Sequence, residues 1–129
     1  SASGHMIRTP KHIKGDKWAC GQTPEGRCTI QSASTLSMPQ RLFNVYRTTG
    51  FVVEDLILRN GRVMLSSLLD EGSVGGAILF RQATARFVNC EFKGNVAENG
   101  WGGAIHSSSS TVDFINCTFV ENVATRGGA

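Results

Sequence analysis

The stretch that decides the fold opens with Gly75-Gly76-Ala77-Ile78, runs through Phe87-Val88-Asn89-Cys90-Glu91-Phe92 and Asn95-Val96-Ala97, and closes on Gly102-Gly103-Ala104-Ile105. Each of its motifs comes back. The Gly-Gly-Ala-Ile run at 75 returns at 102, and Gly127-Gly128-Ala129 opens it once more. Phe114-Ile115-Asn116-Cys117-Thr118-Phe119 repeats the phenylalanine motif, and Asn122-Val123-Ala124 repeats the asparagine motif. The steps from 75 to 102, from 87 to 114 and from 95 to 122 are identical. Three anchors with one period mark a repeat architecture, in which one supersecondary unit stacks on the next.

The residues of the unit select its type. A Gly pair costs about 1 kcal/mol per Gly inside a helix, so helical hairpins are disfavoured. The unit consists of short β-prone runs, Ala77–Phe80, Ala85–Phe92 and Thr111–Phe119, broken by Gly and Asn. The leucine spacing of leucine-rich repeats is absent. What remains is an all-β solenoid, one coil per repeat. Strands of successive coils then pair about 4.8 Å apart, and equivalent residues stack in columns.

Working outward, Val53-Glu54-Asp55-Leu56-Ile57-Leu58 aligns as an earlier copy, with Val53 over Phe87, Asp55 over Asn89, Leu56 over Cys90 and Leu58 over Phe92. Val53 precedes Phe87 by a longer step than Phe87 precedes Phe114, which requires an insertion within 62–73. The expected structural ladders are Val53/Phe87/Phe114, Leu58/Phe92/Phe119, Ile78/Ile105, Cys90/Cys117 and Asn95/Asn122. The two Asn residues are expected to bond amide to amide and to adopt the left-handed backbone of a sharp bend. The Gly pairs supply positive φ or close approach between coils. His12–Lys14 and Cys28–Gln31 read as first-coil strands, and Leu42–Val45 with Phe51–Val53 as the next coil.

This gives four to five coils with an N-terminal cap in the charged stretch 8–17, since a solenoid must hide an open end. Residues 1–6 read as a cloning remnant, 7–50 as the cap and first coils, and 51–129 as the repeats, truncated at the C-terminus. With 129 residues and 40% apolar content the chain suits one domain with a real core. No apolar run approaches a membrane-spanning length, so no membrane insertion is expected of this fragment. Residues 1–64 carry nine Lys/Arg and four Asp/Glu, whereas 65–129 carry four and six. Without a dense basic stripe or interleaved aromatics, no nucleic-acid partner is expected.

Paired motifs of the form Gly-Gly-Ala-Ile and Phe-x-x-Asn, the latter present as Phe92-Lys93-Gly94-Asn95 and Phe119-Val120-Glu121-Asn122, resemble the repeats of chlamydial polymorphic outer-membrane proteins. More widely the chain is similar to right-handed parallel β-helix proteins of the pectin-lyase-like class, which implies that fold for the solenoid. The resemblance is strict over 75–129 and loose from 51. It implies a secreted or cell-surface passenger serving in adhesion or as a scaffold, with a host or cell-surface protein or a glycan as partner. The alternative is a fragment of a carbohydrate-active β-helix enzyme, of polysaccharide lyase or epimerase type, whose catalytic coils lie elsewhere.

Such chemistry needs clustered carboxylates on one face. In the repeat register Glu54 meets Val88 and Ile115, and Glu91 meets Ile57 and Thr118. Asp70-Glu71 is an adjacent acidic pair in the insertion and reads as a turn. No catalytic, cofactor-binding or metal-binding set is assigned, and the reading is not an enzyme. His106 aligns with Leu79 and reads as an outward surface histidine. Trp101 and Trp18 could stack on a sugar, although Trp101 sits at a turn and could equally cover a coil edge.

Cys20 and Cys28 flank a Gly/Pro-rich loop and could form a disulfide; Cys90 and Cys117 stack in one column, within reach of a bridge but with poor torsions. Asn116-Cys117-Thr118 matches a glycosylation acceptor, which a buried column would make inaccessible. The unpaired edge of the last coil points to homo-oligomers through that end or to a swapped C-terminal segment.

Overall fold

The computed structural model describes residues 5–7, 12–14, 28–32, 41–64 and 74–126. All regular structure among them is β. The first winding holds β1 (His5–Ile7), β2 (His12–Lys14) and β3 (Cys28–Gln31). The second holds β4 (Phe43–Tyr46), β5 (Phe51–Glu54), β6 (Leu56–Arg59) and β7 (Arg62–Met64). The third holds β8 (Ile78–Arg81), β9 (Thr84–Val88), β10 (Glu91–Lys93) and β11 (Val96–Trp101). The fourth holds β12 (Ile105–Ser108), β13 (Thr111–Ile115), β14 (Thr118–Val120) and β15 (Val123–Arg126).

Strands do not pair with their neighbours in sequence. They pair in parallel with their counterparts one winding away, making four sheets: β1-β4-β8-β12, β2-β5-β9-β13, β3-β6-β10-β14 and β7-β11-β15. This is the parallel β-helix expected from the repeat. Its register is the expected one: Val53 pairs with Phe87 and Phe87 with Phe114, Leu58 with Phe92 and Phe92 with Phe119, and Ile78 with Ile105. The strands proposed at His12–Lys14 and Cys28–Gln31 are present. β1 includes His5 and Met6, so the fold pairs two residues of the segment read as a cloning remnant.

Alternation along the strands explains the core. In β5 Phe51 and Val53 point inward, and in β9 Ala85 and Phe87 do so, while the residues between them stay at least partly exposed. Phe51, Val53, Leu58, Phe80, Phe87 and Phe92 are fully buried. Vertical neighbours lie nearly flat on each other: Phe92 and Phe119 are 4.8 Å apart at 8°, and Phe87 and Phe114 5.5 Å apart at 15°. Across the core, edge-to-face contacts such as Phe87–Phe92 (5.2 Å, 70°) tie one sheet to the next. Both geometries suit the aromatic quadrupole.

The corners rest on a few backbone requirements. Gly75 and Gly102 both have φ of 67°. A Cβ on Gly76 would lie 2.1 Å from the carbonyl oxygen of Gly103, so two windings meet there with no room for a side chain. The asparagine corner corrects one expectation. Asn95 and Asn122 are not the left-handed residues. The preceding position is, with φ of 62° at Asn60, 64° at Gly94 and 55° at Glu121. What requires Asn is hydrogen bonding. Asn95 Nδ2 donates to Leu58 O (3.0 Å) and to Asn122 Oδ1 (2.9 Å), while Asn95 Oδ1 accepts from Gly61 N–H (2.9 Å). One amide thus joins three windings.

The inserted residues are now bounded. Met64 pairs with Glu98 at an offset of 34, and Val74 bridges Trp101 at an offset of 27. The extra length therefore falls within 65–73, which lies outside the described residues, as do the proposed cap stretch 8–11 and 15–17 and the Asp70-Glu71 pair.

Candidate functional site

Outward-facing positions are what the repeat leaves free for function, because the inward ones are committed to the core. Their columns follow from the register. Glu54 pairs with Lys14 and Val88, Glu91 with Ile57 and Thr118, Asp113 with Arg86, and Glu98 with Met64. No acid faces another acid in these columns. Arg62 pairs with Glu98, and His12 Nε2 lies 2.7 Å from Glu54 Oε2. Among the described residues no group of three or more His, Cys, Asp or Glu side chains could hold a metal ion.

His106 does pair with Leu79, as its position in the repeat requires. It is not an open surface histidine, however. The sheet that carries it is covered on both faces: Leu79 and Asn44, which precede it in the column, are each 3% exposed. His106 is half-buried, and its buried Nδ1 has no hydrogen-bond partner among the described residues. Burial, and then the positive charge of Arg41, hold its pKa below the usual histidine value. Arg41 is itself buried, donating from Nε to Gly75 O (2.9 Å) and from Nη2 to Val74 O (2.7 Å). These two bonds stitch the entry of the second winding to the third.

Trp101 ends a strand and does not sit in a turn. It is 49% exposed, and the Arg126 guanidinium lies 4.7 Å above its ring, so one ring face is already taken. Beside it runs a shallow groove of about 270 Å³, lined by Val96, Ala97, Glu98, Asn99, Val123, Ala124 and Thr125. A bulge makes this place. Ala97 pairs with Ala124 and Trp101 with Arg126, so β11 uses three intervening residues where β15 uses one. Asn99 in the bulge has φ of 59°, and its N–H donates to Thr125 Oγ1 (2.9 Å). Bulges re-aim side chains and concentrate near functional places. Asn99 belongs to no repeated motif. Its one signal in the sequence is the uneven spacing of the Gly pairs, since Gly127 follows Gly102 sooner than Gly102 follows Gly75.

Of the cysteines, Cys28 is disulfide-bonded, and Cys20 and Trp18 lie outside the described residues. Cys90 and Cys117 are free thiols. Cys90 Sγ donates to Val53 O (3.5 Å) and Val88 O (3.3 Å), and Cys117 Sγ to Phe87 O (3.4 Å) and Ile115 O (3.4 Å). Burial pushes the Cys90 thiol up to about 11, which makes it an inert core group instead of a nucleophile. The neighbouring Asp55/Asn89/Asn116 column is a corner and not an internal ladder. All three residues have positive φ, and Asn89 Nδ2 donates to Asp55 Oδ1 (3.0 Å). Asp55 and Asn89 are half-buried, and Asn116 is exposed, so the burial expected to hide the acceptor triplet is not there.

Residues 89–108, from the end of β9 to the end of β12, match the family model described as the Chlamydia polymorphic membrane protein repeat. The match covers the Phe-x-x-Asn corner and the Gly-Gly-Ala-Ile turn, the motifs on which the resemblance rests, and the bulge between them. That family is not one of enzymes. No curated protein and no solved structure matches the chain.

Proposed function

We propose that this chain is a non-catalytic β-helix segment of a secreted or cell-surface protein, acting as an adhesive passenger or as a scaffold that displays its outer faces. The observation that carries this reading is the repeat at 89–108, matched to a family of membrane-protein repeats and built into a stack whose repeated side chains serve packing and corners. The repeated Phe, Asn, Cys and Gly positions make the helix; outward positions such as Arg86/Asp113 differ from one winding to the next. A stiff support with a variable exterior suits recognition of a host or cell-surface protein or a glycan, and self-contact as well. Phe114, Ile115, Phe119, Val120 and Val123 are 38–56% exposed, apolar surface that a further winding or a second copy would cover.

The deciding experiment incubates the labelled chain with intact host-type cells, a glycan array and acidic polysaccharides, with light scattering on the same samples. Saturable binding without polysaccharide breakdown, and a mass that rises with concentration, are expected. Release of unsaturated oligosaccharides by the pure chain would replace this reading with the enzymatic one.

A further inference from the structure

We infer that the corner joining β4 to β5 and β8 to β9 binds an acidic polysaccharide, taking its sulfate or carboxylate groups on Arg47 and Arg81. The inference rests on the surface-display reading above and names the ligand class for one outer face. Charge is segregated around the cylinder. No Asp or Glu occurs in 41–53, 74–90 or 102–112, the spans that carry three windings through the β4-β8-β12 strands and around this corner. The first acids beyond it are Glu54, Glu91 and Asp113, and Asp113 stacks on Arg86 in the next sheet. At the corner itself Arg47, Thr49, Gln82 and Thr84 are exposed, and Tyr46 and Arg81 are half-buried. Both windings have a paired neighbour on each side, β1 against β4 and β12 against β8, so this exposure belongs to the corner itself.

The guanidinium groups are held in place and not merely nearby. Arg47 and Arg81 come from successive windings and share one ring, their Cζ atoms 5.1 and 5.4 Å from the Tyr46 centroid. Arg47 Nε donates to Gln82 Oε1 (2.9 Å), and neither Nη of Arg47 makes a hydrogen bond among the described residues. Side chains fixed in this way have already given up freedom that binding would otherwise cost. The open Nη fork is the geometry that takes a carboxylate or a sulfate edge. The backbone argues the same way. Arg47 and Gln82 hold left-handed φ of 47° and 53°, whereas the next corner fills that conformation with Asp55 and Asn89, which tolerate it. Arg and Gln are poor choices for such a turn, and strain of this kind persists where the side chain serves function. A polymer suits the place better than a lone anion. Acidic groups repeated along one chain reach Arg47 and Arg81 together, and Thr49, Gln82 and Thr84 offer hydroxyls and an amide to the sugar hydroxyls.

The test measures binding of the whole chain to immobilised dextran sulfate and polygalacturonate, the sulfated and the carboxylated arm, over a salt series. Saturable binding to at least one, weakening as salt rises, is expected, and binding to neither overturns the inference. Arg47→Gly should lower the affinity about tenfold. Its thermal midpoint should stay unchanged or rise, because Gly relaxes the turn. Arg47→Lys, which keeps the charge and loses the fork, should fall between Arg47→Gly and the unaltered chain. Arg59→Gln with Lys93→Gln removes two stacked cations from the β6-β10 pair and should leave the affinity nearly as it was. Full affinity in Arg47→Gly, or an equal loss in the Arg59/Lys93 double variant, would reduce the effect to net charge and overturn the inference. Equal affinity for polyglutamate or duplex DNA would do so too. A chain that ignores both polysaccharides yet binds cells would sink the corner and spare the adhesive reading; one that holds them through Arg47 and also cleaves them would do the reverse.

Discussion

The third and fourth windings carry the same motifs and live in different surroundings. Phe87 and Phe92 are fully buried, whereas their counterparts Phe114 and Phe119 are 40% and 39% exposed. Asn95 bonds both to the winding before it and to the winding after it, through Leu58, Gly61 and Asn122. Asn122 Nδ2 reaches back to Phe92 O (2.8 Å), and its Oδ1 serves Asn95. A residue in a stack is thus defined by its column, but its energetic weight depends on how many windings touch it. Stability in such a molecule is close to a sum of units and nearest-neighbour interfaces.

Truncation of the phenylalanines puts the largest strain on this comparison. Phe92→Ala should cost about 3–5 kcal/mol, because it empties a site closed on all sides. Phe119→Ala should cost roughly 1–2 kcal/mol, since part of that ring is already in water. Equal losses on denaturant unfolding would show that the windings do not differ as described. The asparagines come next. Asn95→Ala strands Gly61 N–H and removes the side-chain bonds to Leu58 O and Asn122 Oδ1, the latter keeping the backbone N–H of residue 95, and should cost about 2–3 kcal/mol against about 1 kcal/mol for Asn122→Ala. A double-mutant cycle between them should return a non-zero coupling, and strict additivity would argue against the bond along the stack.

The smallest effect concerns the left-handed corner. Gly94 holds this conformation freely, but Glu121 holds it with a side chain (φ 55°). Glu121→Gly should therefore raise the thermal midpoint, by roughly 0.5–1 kcal/mol in stability. Gly94→Glu, the opposite exchange one winding earlier, should lower it by a similar amount. A rise in both would mean that some contact of the Glu side chain, and not the backbone, sets the balance.

These pairs also show what a sequence can and cannot convey. Period and column are legible because identical side chains recur at fixed spacing, so Val53 over Phe87 and Leu58 over Phe92 are recoverable even from a degenerate copy. Details of the site are less so. The left-handed position lies one residue before the asparagine, since Asn is favoured both for that backbone and for amide ladders, and here the second role decides. Alternation alone puts His106 outward, but the covered outer face around Asn44 and Leu79 has no periodic signature. Trp101 is visible as an aromatic beside the Gly pair; that it lies beneath Arg126 depends on the length of the bulge. For Asn116 the repeat gives the column and not the exposure, because a motif says which residues align and not how many windings touch them.

The step in offset from 34 at Met64 to 27 at Val74 has a practical side. Pairing is correct before the step and correct after it, so the winding absorbs spare length at this seam without passing an error to the next sheet. The position is a natural splice point. A foreign peptide inserted between Met64 and Val74 should leave the threads before and after it engaged, much as added cargo leaves the pitch of a screw unchanged.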